Sequence, residues 1–187
     1  MKNALQLLQQ RNSAPRLCEP GPGPEALQQM FAAALRAPDH AWLQPWRFIV
    51  IQGDQRHALG EVFRQSAQQR DPSAGEAVLD KASHAPLRAP LVVTVLCRYS
   101  EHPKVPAEEQ LISAGCAAHA MLLAAEAQGF AGVWRTGAYA TDSLVAAALG
   151  LAENESIIGF LYFGSRDGNP KSLPEREVSS YVSYWTS

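Results

Sequence analysis

The sequence predicts an α+β domain in which helices surround one mixed sheet. Apolar segments of strand length alternate with segments of helical periodicity, and such alternation is typical of helices packed around a sheet. Of the 187 residues, 47% are hydrophobic, which is enough to build a packed core. The length matches one domain and no repeat is present, so a single domain over residues 1–187 is expected.

Pro and Gly residues punctuate the first half of the chain. The segment 19–24, Glu-Pro-Gly-Pro-Gly-Pro, is a linker, and Pro24 suits the first turn of a helix. The predicted elements are a short amphipathic helix before Arg11, a helix from Pro24 that stops before Pro38, a strand at 47–52, a helix at 55–69 and a shorter helix ending near His84.

One long apolar helix dominates the second half. Residues 107–128 are apolar on nearly every face, which predicts a central helix enclosed by other elements or by a second subunit. The other predicted elements are strands at 91–96, 132–136 and 156–164 and a helix from Thr141–Asp142 to Leu149.

The C-terminal tail, about residues 166–187, is polar but ends in three aromatic residues, Tyr181, Tyr184 and Trp185. Aromatic side chains at a polar terminus need a surface that buries them. The sequence leaves two possibilities open: the tail packs on a partner subunit, or it folds back on its own chain.

Composition excludes several classes of function. A net charge of -2 gives no reason to expect nucleic acid or an acidic membrane surface as a partner. Cys18, Cys97 and Cys116 are too few and too scattered for a disulfide framework or a zinc site, so no metal is expected. No apolar run reaches the length of a membrane span and the N-terminus lacks a signal-peptide pattern, so we expect a soluble, cytoplasmic protein.

Common catalytic motifs are missing. The sequence contains no GxGxxG after a strand, no phosphate-loop lysine motif, no HExxH and no nucleophile elbow. If the protein is an enzyme, a cofactor is therefore expected to carry the chemistry.

Three clusters offer candidate site residues. Arg11, Asn12 and Ser13 combine a guanidinium suited to phosphate with short polar side chains, although a helix end with a solvated arginine explains the same pattern. The segment 36–46 is dense in polar and aromatic groups before a strand, where sites often lie, or is a turn anchored by its tryptophans. In the segment 129–137, glycines would allow a flat ligand to approach the backbone, or the segment is an ordinary helix-to-strand turn.

Two residues outside these clusters have competing interpretations. Lys104 lies in a loop stiffened by two prolines, so it could present a cation to a ligand, but a solvated loop lysine is the more economical interpretation. His119 lies on the apolar helix and is predicted to be a core residue.

Taken together, the motifs resemble the nitroreductase family, and most closely its small YdjA-type branch. The resemblance covers nearly the whole chain in one order and spacing. It is carried by Arg-x-Ser near the N-terminus, Arg-Ala-Pro-Asp-His followed by Gln-Pro-Trp, Ala-Pro-Leu before the second strand, His-x-Lys-Val-Pro, Ser-Ala-Gly-Cys-Ala, Ala-Gln-Gly-Phe-x-Gly-x-Trp-Arg and Gly-Phe-Leu-Tyr-x-Gly.

The resemblance implies a three-layer α/β/α sandwich with a mainly antiparallel sheet, and an intertwined homodimer that binds FMN at the subunit interface. It implies that Arg11, Asn12 and Ser13 bind the FMN phosphate and ribityl oxygens. His40 would approach the same FMN, and Arg36 would reach it from the other chain. Trp134, Arg135 and Thr136 would flank the cofactor. The stretch linked with the nicotinamide is Ala124, Ala125, Glu126, Ala127, Gln128 and Gly129.

The sequence departs from the family pattern in three places. Pro15 stands where a second basic residue follows the serine, and Arg16 comes one position later. Of a C-terminal Lys-x-Arg pair only Lys171 is present, because Leu173 replaces the second basic residue. The asparagine before Gln-Pro-Trp is missing, and His40 is the nearest substitute. Fewer basic anchors predict weaker FMN retention.

The function implied by the resemblance is that of an FMN oxidoreductase, a nitroreductase without a catalytic side chain of its own. It would take hydride from NADH or NADPH and reduce a small acceptor such as a nitroaromatic or quinone. Two alternatives stay open, because a fold does not fix a function. One is a flavin-binding or carrier protein that turns over slowly, and the other is a different flavin reaction on the same fold.

Overall fold

Helices and strands alternate along the chain as the sequence patterns predict. The computed structural model describes residues 3–186. Its helices are α1 (Ala4–Gln10), α2 (Pro24–Ala34), α3 (Gln55–Arg70), α4 (Glu76–Ser83), α5 (Ala107–Ala127) and α6 (Ser143–Ala148), and its strands are β1 (Leu17–Cys18), β2 (Trp46–Gln52), β3 (Leu91–Arg98), β4 (Ala131–Arg135) and β5 (Glu155–Arg166). Among these helices and strands, only β1 was not predicted from the sequence, because it is too short to carry a periodicity signal.

Local signals in the sequence start the helices. At α1, the side chain of Asn3 accepts a hydrogen bond from the Gln6 amide at 2.8 Å while the Gln6 side chain accepts from the Asn3 amide, which is a capping box. Asp142 caps α6 by accepting from the amide of Leu144 at 2.9 Å. Pro24 occupies the first turn of α2, where its missing N–H costs nothing.

The five strands form one sheet in the order β1-β5-β3-β2, with β4 paired to β5. All four pairings among the described residues are antiparallel. The sheet, which was predicted to be mixed and mainly antiparallel, is thus antiparallel throughout the described chain, and the expected α+β class is confirmed. Strands β3 and β4 flank β5 and run in the same direction, because the single helix α5 connects them and returns the chain to the same end of the sheet.

The two faces of the sheet carry separate cores, which confirms the three-layer sandwich. On one face, α2 and α5 pack over β3 and β5 through residues such as Val93 and Phe163. On the other face, α3, α4 and α6 pack over the same strands through residues such as Val92 and Phe160. This division follows from the period of two along a strand, which sends successive side chains to opposite faces.

Helix α5 is only partly enclosed by its own chain. Ala114, Ala117 and Met121 are fully buried against the sheet. Near the N-terminal end of α5, Leu111 is 44% exposed and Ile112 is 65% exposed. The apolar side chains on this outer face are therefore not buried within the protomer.

None of the helices within residues 3–186 combines the length and the apolarity that a bilayer span requires.

Candidate functional site

A cavity of about 510 Å³ lies beside the C-terminal end of β4. It is bounded by α3, α4, β5 and the turn that follows β4. Its walls combine aromatic rings with basic side chains, and the lining residues are Phe63, Val78, Lys81, Ala82, Ala85, Arg88, Trp134, Arg135, Thr136, Gly137, Ala138, Tyr139, Phe160 and Tyr162. The predicted cluster of Trp134, Arg135 and Thr136 is thus part of one concave site, the geometry typical of ligand pockets.

One wall of the cavity is an aromatic stack. The ring of Tyr139 lies parallel to that of Phe63, with 4.0 Å between ring centroids, and Phe63 meets Phe160 edge-on at 5.3 Å. The guanidinium of Arg70 covers the Tyr139 ring at 4.9 Å from its centroid. Gly137, at φ +72°, allows the chain to turn sharply after β4 and presents Tyr139 to this stack.

A buried polar contact anchors the same wall. The hydroxyl of Ser66, which is fully buried in α3, donates to the carboxylate of Asp142 at 2.6 Å. Asp142 is also the N-cap of α6, so one carboxylate joins α3 to the segment that carries Tyr139. This contact helps to hold the aromatic wall in place.

The cavity also contains cations. Lys81, Arg88 and Arg135 line it, and its lining contains no carboxylate. Burial raises the pKa of Tyr162 to about 12, and the nearby charges of Arg135 and Arg88 oppose that rise. The Arg135 guanidinium lies 5.9 Å from the Tyr162 ring centroid, and its buried Nε has no hydrogen-bond partner among the described residues. A buried donor without a partner is unusual and marks a place where a ligand acceptor fits.

Trp134 is held by a close approach between strands. Its indole Nε1 donates to the carbonyl of Ile158 at 3.3 Å. A Cβ at Gly159 would overlap the Trp134 indole and lie 2.9 Å from the carbonyl oxygen of Arg135. Glycine at 159 therefore permits the position of Trp134 at the cavity.

The N-terminal cluster lies beside the start of β4. The Ala14 amide donates to the carbonyl of Gly132 at 3.1 Å, which attaches the segment after α1 to this strand. Arg11 Nη1 donates to the hydroxyl of Ser13 at 3.5 Å. From Gly132 to Thr136 the strand rises about 13 Å, so the cluster and the cavity lie at the two ends of β4.

The C-terminal tail returns to this cluster. The side-chain amide of Asn12 donates to the backbone carbonyl of Lys171, and Arg166 donates to the carbonyl of Asn12 at 2.9 Å. Lys171, which the family resemblance associates with phosphate, thus lies next to the Arg11–Ser13 segment. Arg16, by contrast, is ion-paired with Asp167 at 3.7 Å.

Arg36 and His40 lie elsewhere in the protomer. His40 Nδ1 is 2.8 Å from Glu109 Oε2, near the N-terminal end of α5, and Arg36 lines a groove between α2 and α5. The Arg11 cluster is close to Glu126 at the other end of α5, because Arg166 contacts both Glu126 and Asn12. Glu126 follows Glu109 by seventeen positions along the helix, a rise of about 25 Å. Within one chain, His40 and Arg11 therefore do not share a pocket.

The stretch predicted to bind nicotinamide ends α5, and several of its groups have partners inside the chain. Ala125 is fully buried, Glu126 lies 3.9 Å from Arg166, and the Gln128 side chain donates to the Ala124 carbonyl at 3.0 Å. Gly129, at φ +86°, terminates the helix, and Ala127 is exposed. A role for this stretch in nicotinamide binding stays a prediction.

Lys81, Arg88 and Tyr139 also line the cavity, and none of them was predicted from the sequence. Lys81 offered a weak signal, since no acidic residue stands three or four positions away on its helix to pair with it. Arg88 directly follows the Ala-Pro-Leu motif. Nothing in the spacing indicated that α4 and the end of β4 meet, because that contact depends on the packing of the sheet.

A family comparison agrees with this architecture. The protein-family model described as "Nitroreductase family" matches residues 18–165. The chain belongs to the nitroreductase family. Its relative in Escherichia coli K12, named "Putative NAD(P)H nitroreductase YdjA", is 47% identical over 163 residues, which cover 87% of this chain and 88% of that protein.

Solved structures of nitroreductases share the fold. The nitroreductase-like family protein from Bacillus cereus superposes with a TM-score of 0.84 at 19% identity, over 98% of this chain and 96% of that one. The FMN- and NADPH-dependent nitroreductase NfnB from Sphigopyxis sp. strain HMH superposes with a TM-score of 0.80 at 18% identity, over 99% of this chain and 100% of that one.

Proposed function

We propose that this nitroreductase-family protein is an FMN-dependent oxidoreductase that takes hydride from NADH or NADPH and reduces a small acceptor such as a nitroaromatic or a quinone. The observation that carries the proposal is the cavity at the end of β4, whose lining combines an aromatic wall with three cations. The names of the relatives support the same cofactor and electron donor.

The two ends of β4 fit the two ends of FMN. The Arg11–Ser13 segment, beside Lys171 and Arg166, offers cationic and hydroxyl donors for a phosphate dianion. The cavity about 13 Å away along the strand offers aromatic and aliphatic walls for a flat ring system. The unpartnered Nε of Arg135 supplies a donor that a ring oxygen or nitrogen would satisfy.

When bound, FMN would supply the two-electron chemistry, taking hydride from the nicotinamide and passing two electrons to the acceptor. For a nitroaromatic, the balanced reaction is NAD(P)H plus a proton plus ArNO₂ giving NAD(P)⁺, ArNO and water. The residues of this chain would bind and orient the cofactor and the substrates. Trp134 and the Tyr139–Phe63 stack limit the space available to water, and Arg135 holds a positive charge against the electron-rich end of the ring. No side chain of the described cavity needs to act as a nucleophile.

The site requires a second subunit in this proposal. His40 lies at the far end of α5 from the Arg11 cluster, and Arg36 lines a groove along the middle of α5. In this proposal both residues reach the FMN held by a partner. The exposed outer face of α5, with Ile112 at 65%, offers an apolar surface for a homodimer. Such an arrangement places the FMN at the subunit interface.

The C-terminal aromatics support the same dimer. Tyr181, Tyr184 and Trp185 are 70%, 88% and 93% exposed, so they are not buried by their own chain. Packing on a partner subunit would bury them. A cytoplasmic location suits the proposal, because Cys18, Cys97 and Cys116 are free thiols and the cytoplasm keeps thiols reduced.

The test is spectroscopic. The protein is purified, incubated with FMN and desalted. Its absorbance at about 450 nm, where oxidised flavin absorbs, is then followed under anaerobic conditions after adding NADH or NADPH. We expect retained FMN, bleaching by the nicotinamide, and recovery when a nitroaromatic or quinone is added.

Each alternative outcome has a distinct meaning. Protein that stays colourless after incubation with FMN contradicts the proposal. Bound FMN that neither nicotinamide reduces indicates a flavin-binding or carrier protein. Rapid reduction with no turnover of nitroaromatics or quinones indicates a different flavin reaction on this fold.

A further inference from the structure

The cations of the cavity differ from most other arginines of the chain. Six arginines lie within 4.0 Å of a carboxylate. They are Arg16, Arg47, Arg64, Arg70, Arg98 and Arg166. Lys81, Arg88 and Arg135 have no such ion pair with any carboxylate of residues 3–186, although they line one cavity together. The cavity therefore keeps a local positive charge in a protein whose net charge is -2.

The three cations occupy different depths. Arg135 has a buried Nε and lies over the Tyr162 ring, and the proposed function assigns it to the flavin. Lys81 and Arg88 are exposed residues on the lining, so their charged groups stand at the mouth. A concave, largely apolar site with cations at its entrance concentrates anions and aligns them on entry.

The mouth is held in place by its supporting elements. Arg88 ends the short helical turn Pro86–Arg88, and the side chain of Arg56 fixes the next residue by donating to the Ala89 carbonyl at 2.7 Å. Lys81 projects from α4, which is tied to α3 by the ion pairs of Arg64 with Glu76 and Asp80. Neither cation is needed for these contacts, so each is available to a ligand.

We propose that this mouth selects anionic aromatic acceptors, such as nitroaromatics or quinones that carry a carboxylate, over neutral acceptors of the same shape. The aromatic wall formed by Tyr139 and Phe63 would contact the flat ring, and Lys81 and Arg88 would pair with the carboxylate. This inference rests on the proposed function. The redox step is the same as in the proposed function. The nitro nitrogen gains two electrons, and one of its oxygens combines with two protons and leaves as water. The carboxylate is unchanged.

The experiment isolates the acceptor step, because NADH and NADPH are anions too. FMN-loaded protein is reduced anaerobically with one equivalent of NADH and mixed in a stopped-flow instrument with 4-nitrobenzoate or 4-nitrobenzamide, which differ in charge but little in shape. The second-order rate constant of flavin reoxidation is measured for each acceptor at low and high NaCl. We expect the anion to react faster, with an advantage that shrinks as salt screens the cations.

Three variants test the residues. Lys81→Gln and Arg88→Gln should each lower the benzoate rate more than the benzamide rate, so that the ratio of the two rates falls by roughly two- to fivefold, the size of an exposed charge interaction. Lys104→Gln is the matched control, because Lys104 is an exposed lysine outside this cavity, and its ratio should equal that of the wild type.

The outcomes separate this inference from the proposed function. A wild-type ratio at or below one, or one that the two cavity variants do not change, overturns the inference while flavin reduction by NADH still supports the proposed function. Equal losses for both acceptors in Lys81→Gln and Arg88→Gln also overturn it, since they indicate a structural role. Protein that binds no FMN overturns both.

Discussion

Glu155, at the start of β5, provides a measurable test of how the sheet is held together at this end. Its side chain is 2% exposed. It accepts hydrogen bonds from Arg47 at 2.8 and 2.6 Å, from Arg98 at 2.9 Å and from the Ala152 amide at 3.1 Å. The hydrogen bonds from Arg47, with those from Ala152 and Arg98, lower the pKa of Glu155 to about 2. The carboxylate thus joins β2, β3 and β5 in a charged network.

The expected loss in Glu155→Gln follows from this pKa. An ordinary glutamate has a pKa of about 4.3, and each unit of difference corresponds to about 1.4 kcal/mol. The difference between this ordinary pKa and the pKa of about 2 in the folded protein corresponds to at most about 3 kcal/mol of the free energy of unfolding. Both arginines are partly exposed, at 29% and 52%, so we expect a loss of about 2 kcal/mol in the free energy of unfolding at pH 7.

The pH dependence has a definite sign. Because folding lowers the pKa of Glu155, the contribution is complete above about pH 5 and is lost as the pH falls toward about 2. The difference between the wild type and Glu155→Gln should therefore be large at pH 7, about half as large near pH 3, and small only near about pH 2. Urea unfolding at fixed protein concentration measures it, since a dimer would make stability depend on concentration.

Glu153→Gln is the matched control, because Glu153 is an exposed glutamate two residues away. It should unfold within about 0.5 kcal/mol of the wild type. A Glu155→Gln variant that is as stable as Glu153→Gln at pH 7, or whose loss of stability is the same at pH 7 and pH 3, would contradict this role of Glu155.

Three further predictions concern the site and its assembly. Gly159→Ala should destabilise the protein by about 1–3 kcal/mol, because its Cβ would overlap the Trp134 indole; thermal unfolding would show a lower Tm than in Gly23→Ala, where nothing lies within 4 Å, and equal Tm values would contradict the close approach. Arg11→Ala should weaken FMN binding by about 1.5–3 kcal/mol in a fluorescence titration, and more than Arg16→Ala, whose arginine is paired with Asp167; unchanged affinity in Arg11→Ala would remove it from the phosphate site. A chain that ends at Ser180 lacks the exposed aromatics and should form a weaker dimer by analytical ultracentrifugation, and an equally stable dimer would exclude these aromatics from the interface.

Helices and strands could be predicted because their signals are local. Pro24 at a first turn, Asp142 at an N-cap and Gly129 after α5 each act within a few residues, and the buried strands stand out as apolar runs. Strand β1 was not predicted because its two residues, Leu17–Cys18, are too few to show a period. They form a strand by pairing with the end of β5, which is distant in the sequence.

The candidate site was predictable only in pieces. Trp134, Arg135 and Thr136 were identified through a family motif, and they line the cavity. Lys81 and Arg88 belong to another element, and their role at the mouth depends on α4 packing beside the end of β4. No local pattern encodes the distance between α4 and the end of β4, because that distance results from the order of strands in the sheet.

The sequence alone determined the α+β class, the positions of the helices and the family motifs, since periodicity, capping residues and motif order are properties of neighbouring residues. Only the tertiary structure decided which charged groups meet. It pairs His40 with Glu109 and leaves the Arg11 cluster at the other end of α5, and it leaves Lys81 and Arg88 without ion pairs to any described carboxylate, at one cavity. The physical reason is that electrostatic contacts depend on distances through space, and folding sets those distances between segments that are far apart in the chain.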